Sequence, residues 1–278
     1  MINFNGTLYD SEKQISVFNR SFLYGDGVFE TLKIVNNKIL YFEDHYFRLM
    51  ASMRILRMKI PMNFTLEFLQ SEILTLVNKT QIQNSSRARL TVFRVDGGYY
   101  LPKDNNIAYT ITATYEENKY YKLNSNEIIV DLYKDFLVSK NLLSTLKTNN
   151  KILHITASIF AKENNYNTCL LLNENKNIVE AINGNIFICF NDSIITPPTT
   201  EGCLNGVMRK QIIKIINEIG ELEVIERPIS PFELQKADEI FYSNVIIGIQ
   251  NITTYRKKEF SNKKSKLILD KLNSKFVN

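Results

Sequence analysis

Apolar positions along the chain switch repeatedly between a two-residue alternation and a spacing of three and four, the signatures of strands and amphipathic helices. Asn3 to Tyr9 reads as a short strand pair around Asn5-Gly6, a dipeptide that accepts the left-handed backbone of a tight hairpin. Phe29 to Val35 reads as a strand that Asn36-Asn37 turns into another, Lys38 to Phe42. Beyond Glu43-Asp44, residues Tyr46, Leu49, Met50, Met53 and Leu56 recur at helical spacing, and Pro61 stops that helix. A second amphipathic stretch spans Phe64 to Val77. Arg89 to Val95 and Ile107 to Tyr115 read as strands on either side of a Gly97-Gly98 loop.

Residues 116–126 are polar and aperiodic, as a linker between two halves would be. After them come strands at Glu127 to Leu132, Thr168 to Leu172, Ile186 to Phe190 and Ile194-Ile195. Helical patterns lie at Lys151 to Glu163, Val207 to Ile219 and Ser261 to Lys275. A chain of 278 residues, at about 100–200 per domain, divides here into 1–118 and 119–278. Both halves are of α/β type, and a ligand is expected in a cleft between them.

A hydrophobic share of 44% and a charged share of 23% fit a globular chain and exclude a disordered one. The net charge of +5 is spread along the sequence with no dense basic block. Nucleic acid is therefore not the expected partner, whereas an anionic small molecule suits the balance. No apolar run reaches the roughly 18 residues of a membrane span. The start, Met1 to Gly6, lacks the basic head and apolar stretch of a secretion signal, so a cytoplasmic location without membrane association is expected. Cys169, Cys189 and Cys203 show no Cys-x-x-Cys spacing, and His45 and His154 are far apart. Buried free thiols and no metal are expected.

Several residues could carry chemistry. Lys147 lies in a polar step between a strand-like run and a helix, where desolvation or a nearby cation would prepare its amine for a Schiff base. Glu180 ends a strand, and a buried carboxylate there needs a partner such as a pyridinium nitrogen. Gly202 to Arg209 leads into a helix whose first amides suit a phosphate, although the P-loop ending is missing. Arg48 sits on an otherwise apolar helix and could reach a phosphate bidentately, with His45 three residues earlier as structural support. Arg87 and Arg89 share one strand face, while Arg94 lies opposite, beside the Gly97-Gly98 loop, where it could meet a substrate carboxylate. Taken one at a time, each also fits an ordinary structural or surface role.

In chain order, the motifs are Tyr24-Gly25-Asp26-Gly27-Val28-Phe29-Glu30-Thr31, His45-x-x-Arg48-Leu49, Lys147, Glu180 with Asn185, Gly206-Val207-Met208-Arg209, and Ala237-Asp238-Glu239. Together they resemble the class IV aminotransferases, pyridoxal-phosphate enzymes of fold type IV, from about Asn3 to Ile252. That family includes branched-chain and D-amino-acid aminotransferases and 4-amino-4-deoxychorismate lyase. The resemblance implies a small N-terminal α/β domain, a larger strand-rich C-terminal domain carrying the Schiff-base lysine, and a homodimer. It implies pyridoxal 5′-phosphate as cofactor, with Lys147 as the lysine that joins it and then moves the proton at the substrate α-carbon. Glu180 would pair with the pyridine nitrogen. Arg48 and the backbone amides of Val207 and Met208 would hold the phosphate. Ser243 and Asn244 would help seat the cofactor, and Phe29 and Arg94 would face the substrate.

Three features resemble the lyase more than the transaminases. Branched-chain enzymes carry Lys-x-Gly-Gly-Asn-Tyr, whereas Lys147 is followed by Thr148-Asn149-Asn150-Lys151-Ile152. Transaminases commonly read Gly-Ile-Thr-Arg at the phosphate loop, whereas this chain has Gly206-Val207-Met208-Arg209. The Ser243-Asn244 segment follows the lyase pattern as well. The resemblance thus points to release of pyruvate and 4-aminobenzoate, on the route to folate, with amino transfer from branched-chain or D-amino acids to 2-oxoglutarate as the alternative. Ile182-Asn183-Gly184 is an unusual spacer after the glutamate, and Asn251-Ile252 stands where many relatives have Pro-Val. His154 is expected to be a packing residue.

Overall fold

Left-handed turns break the first part of the chain into short antiparallel pieces. Asn5 and Gly6, at φ 50° and 85°, join β1 (Ile2–Phe4) to β2 (Thr7–Tyr9). The Asn19 side chain accepts from the amides of Ser21 and Phe22 to start the short α1 (Arg20–Tyr24), and Gly25 ends it at φ 67°. Asn36 and Asn37, both left-handed, fold β3 (Gly27–Val35) onto β4 (Lys38–Ile39). The strand expected to reach Phe42 stops at Ile39, because Tyr41 turns left-handed at φ 53° and α2 (Phe42–Ile55) begins directly after it. Thr65 caps α3 (Leu66–Lys79) by accepting from the Phe68 amide. Then come β5 (Ser85–Arg94) and β6 (Ile107–Tyr115).

The computed structural model describes residues 1–10, 15–80, 82 and 85–277. It divides into one unit of residues 1–119 with 147–150 and another of 120–146 with 151–278. In the first, six antiparallel strands run in the order β2-β1-β6-β5-β3-β4. One sheet face carries Val28, Leu32, Ile34, Ala88, Leu90 and Val92, and α2 and α3 cover it with Leu49, Met53, Leu69, Ile73 and Leu76. Even-numbered residues of β3 therefore face this core, and odd-numbered ones face away.

Residues 147–150 were expected in the second half and belong to the first unit instead. The backbone supplies the reason. Phe29 N–H donates to the Lys147 carbonyl at 2.8 Å and Asn149 N–H to the Gly27 carbonyl at 2.9 Å, so the tetrapeptide extends the sheet beside β3. Gly27 permits this approach, since a Cβ there would lie 2.7 Å from the Asn149 side-chain nitrogen.

The second unit comprises β7 (Ile129–Val138), α4 (Ile152–Glu163), β8 (Thr168–Asn173), β9 (Ile178–Ala181), β10 (Gly184–Phe190), β11 (Ser193–Thr196), α5 (Val207–Ile219), β12 (Glu223–Glu226), β13 (Glu239–Asn244), β14 (Gly248–Ile252), β15 (Thr254–Tyr255), β16 (Lys258–Glu259) and α6 (Lys263–Val277). Its ten described strands run β12-β11-β10-β9-β8-β7-β15-β16, with β13 branching from β10 and paired to β14. The sheet is mixed, because β7–β8, β11–β12 and β7–β15 are parallel. Helix α4 covers one face over Tyr133, Cys169 and Leu171, and a second core of Val130, Leu170, Ile186, Ile240 and Ile252 fills the other. The spacer after Glu180 is a two-residue turn: Ala181 pairs with Gly184, which leaves Ile182 and Asn183 to reverse the chain. Part of the polar linker is buried. Tyr121 packs against Gly248, and its hydroxyl donates to the Val245 carbonyl at 2.7 Å. No described helix is long and apolar enough to cross a membrane.

Candidate active site

In the first unit the candidate residues gather around β3. Odd-numbered Phe29 is buried, and its ring centroid lies 4.3 Å from Lys147 Nζ and 3.6 Å from the Arg89 guanidinium carbon. A buried aromatic face between such neighbours offers cation–π attraction to both. Arg89 also donates to Asn149 Oδ1 at 3.3 Å, and Asn149 donates to Ser21 Oγ at 2.6 Å. The backbone that presents Lys147 is thus held by side chains as well as by β3.

Even-numbered Glu30 points to the helix side, where His45 and Arg48 stand three residues apart on α2. Arg48 donates from Nε to Glu30 Oε1 at 2.8 Å and from Nη2 to Oε2, a bidentate pair, and His45 Nδ1 lies 2.7 Å from Oε2. Burial alone would raise the Glu30 carboxyl. The Arg48 charge and the His45 hydrogen bond overcome it and bring the group down to about 2. Burial holds His45 below its usual range against the pull of Glu30, and the charges of Arg48 and Lys147 push the same way. Arg48 is therefore anchored by a buried acid, Glu30, which lies within the Tyr24-to-Thr31 motif and whose role no local pattern reveals.

Arg94 is corrected by the structure. It was expected to face a substrate carboxylate, but its Nε donates to Asp26 at 3.0 Å, Nη1 to Asn105 Oδ1 at 2.5 Å and Nη2 to the Leu56 carbonyl at 2.8 Å. All three nitrogens are engaged and the residue is buried, so Arg94 fastens the start of β3 to the end of α2.

In the second unit, Glu180 on β9 is 6% exposed. His154 Nε2 lies 3.1 Å from its Oε1, and the Leu204 amide donates to Oε2 at 3.0 Å. Asn185, paired with Glu180 across the β9–β10 turn, donates to the Leu204 carbonyl at 2.8 Å and fixes the peptide that holds the acid. The loop then enters α5 through Gly206, whose side has no room for a Cβ beside Asn185 Oδ1. No side chain caps this helix and no acidic residue occupies its first turn, so the amides of Val207 and Met208 start α5 in the way that suits an anion. Arg209 secures the loop from behind by pairing with Glu226 and donating to the Pro197 carbonyl at 2.9 Å.

Ser243 and Asn244 end β13 with different environments. The Asn244 amide donates to the Asn183 carbonyl at 2.8 Å and accepts from the amides of Ile246 and Ile247, so it shapes the adjoining turn. Ser243 Oγ is buried without a hydrogen-bond partner among the described residues, a polar atom that a bound group could satisfy. His154, expected as packing, instead touches Glu180. Its place seven residues beyond Lys147 gave no signal, since only the fold of α4 over β9 brings the two side chains together. The three cysteines are buried, and burial pushes the Cys203 thiol up to about 12.

A model of the family described as amino-transferase class IV matches residues 27–255. A Methanocaldococcus jannaschii protein, provisionally named a branched-chain-amino-acid aminotransferase, is 28% identical over 99% of this chain and 94% of its own. Among solved structures, the branched-chain aminotransferase of Thermoproteus uzoniensis with norvaline superposes with a TM-score of 0.87 at 22% identity, covering 97% of this chain and 92% of that one. The 4-amino-4-deoxychorismate lyase of Pseudomonas aeruginosa gives 0.84 at 20% identity, covering 99% and 98%. At these identities the two structures share the fold, that of fold type IV enzymes.

Proposed function

Because the chain belongs to the class IV aminotransferases, enzymes that use pyridoxal 5′-phosphate, we propose that it binds this cofactor and acts as a 4-amino-4-deoxychorismate lyase. The donor set fits the cofactor's three functional groups: a lysine amine for the aldehyde, a buried carboxylate for the ring nitrogen, and an arginine with uncapped helix amides for the phosphate. The unpartnered Ser243 hydroxyl supports the same reading. When bound, pyridoxal phosphate supplies an electron sink for the carbanion left at the substrate α-carbon.

Lys147 would hold the cofactor through its amine and would carry the proton at the substrate α-carbon. Glu180 would face the ring nitrogen and keep its proton in place. Arg48, braced by Glu30, and the amides of Val207 and Met208 bind the phosphate, so Glu30 serves the site by keeping the guanidinium in place. Departure of pyruvate leaves 4-aminobenzoate, whose aromatic ring supplies the driving force.

Met208 is the observation that carries the lyase reading. It is buried at the second position of α5 and offers an amide but no hydroxyl, where the transaminase pattern has threonine. Ile152, at the position of the branched-chain tyrosine, is 65% exposed and brings no phenol. Amino transfer remains the second reading, favoured by the 28% identity to the archaeal relative along nearly the whole chain. The purified protein, incubated with aminodeoxychorismate, is expected to release aminobenzoate and pyruvate in equal amounts. Brisk transfer from branched-chain or D-amino acids to 2-oxoglutarate without aminobenzoate would overturn the lyase reading. The family membership also leads us to expect a cytoplasmic homodimer, which light scattering on the purified protein tests for assembly.

A further inference from the structure

We infer that His154 is a positioning residue for the cofactor's ring nitrogen, acting through Glu180; this rests on the reading above that Glu180 faces that nitrogen. A carboxylate fixed at one oxygen can still rotate about its last bond. Glu180 is fixed at both, by His154 Nε2 at 3.1 Å from α4 and by the Leu204 amide at 3.0 Å from the loop before α5. The loop side is itself tied down by Asn185 through the Leu204 carbonyl. His154 thus supplies the second of two anchors that define the plane of the acid.

The tautomer follows from the other ring atom. His154 Nδ1 is buried without a hydrogen-bond partner among the described residues. Hydrogen on Nε2 satisfies Glu180 and leaves at Nδ1 a lone pair instead of a buried N–H with nothing to accept it. A neutral donor of this kind steadies the carboxylate without cancelling its charge, which stays available to a protonated ring nitrogen. The Cys203 thiol, also within the electrostatic reach of Glu180, is held neutral by burial, with the Glu180 charge adding to the effect.

The test uses two polar variants of similar size. H154Q places an amide donor near the Nε2 position, whereas H154N places it near Nδ1 and falls short of Glu180. Holoenzymes are reconstituted with cofactor carrying a 15N ring nitrogen, and the nitrogen resonance is read alongside kcat and KM on the substrate identified by the assays above. H154N is expected to lower kcat about tenfold, with KM within about twofold, and to move the resonance towards the unprotonated position. H154Q is expected to recover most of both. A wild-type resonance and kcat in H154N, or equal losses in the two variants, would overturn the inference. E180Q separates the two levels: if it moves the resonance while H154N does not, only the role of His154 falls. If E180Q moves nothing, the assignment of Glu180 falls and takes this inference with it.

Discussion

Glu30 and Glu180 are each bonded to a histidine, and each is almost wholly buried, yet their other partners differ in kind. Glu30 meets the bidentate guanidinium of Arg48, while Glu180 meets the backbone amide of Leu204. The first acid is neutralised within its own unit, and its strong downward shift records how firmly Arg48 holds it as a carboxylate. The second is bound by a backbone dipole and an imidazole, which orient a carboxylate without discharging it. One glutamate braces a guanidinium, and the other is oriented by neutral neighbours. Similar residue pairs therefore acquire different duties from the neighbour that completes them.

The contrast is most directly broken at Glu30. E30Q leaves a buried guanidinium without its counter-charge and is expected to cost about 3 kcal/mol of stability, measured by denaturant unfolding. The wild type should carry the matching acid dependence. The unfolded Glu30 carboxyl takes up its proton near 4.5 and the folded one near 2, so between these values the unfolded chain binds more protons. The contribution, about 3 kcal/mol, is complete above roughly pH 4.5 and is lost as pH falls through 2. E30Q should flatten that limb, and an unchanged limb would remove the ionic account of this cluster.

At Glu180 the expected loss is one of rate. E180Q keeps the shape but loses the charge and one of the two acceptor oxygens, so turnover should fall about 100-fold and stability by about 1–3 kcal/mol. A variant that unfolds without losing rate per folded molecule would erase the distinction drawn here. The smallest effect is expected away from both acids. I152Y restores the tyrosine of branched-chain enzymes at an exposed position and should change stability by less than about 0.5 kcal/mol. A gain of branched-chain amino transfer in I152Y would show that this position bears on the choice of reaction.

Much of this was legible in the sequence because it is local. The strand Ile107–Tyr115 and the helix Val207–Ile219 follow from the period of their apolar positions, and the Asn5-Gly6 and Asn36-Asn37 turns announce themselves by residue type. What the sequence did not disclose depends on pairing between distant segments. The Tyr41 turn gave no residue-type signal, since an aromatic rarely adopts that backbone. Arg94 looked free beside a glycine loop because Asp26, Asn105 and the end of α2 approach it only in the folded sheet. His154 was read as packing for the same reason. Charge partners across a fold leave no periodic trace.

The tetrapeptide from Lys147 to Asn150 carries a consequence for how such a gene can be cut and rejoined. Because those four residues belong with the first unit while the residues on both sides belong with the second, the chain passes from one to the other three times. A fragment ending near residue 119 would expose the β3 backbone that the tetrapeptide occupies and would lack Lys147 as well. Recombination between relatives at a single breakpoint near the linker would deliver the lysine from one parent and the strand it lies against from another. Chimeras should therefore keep activity only when β3 and the tetrapeptide come from the same parent.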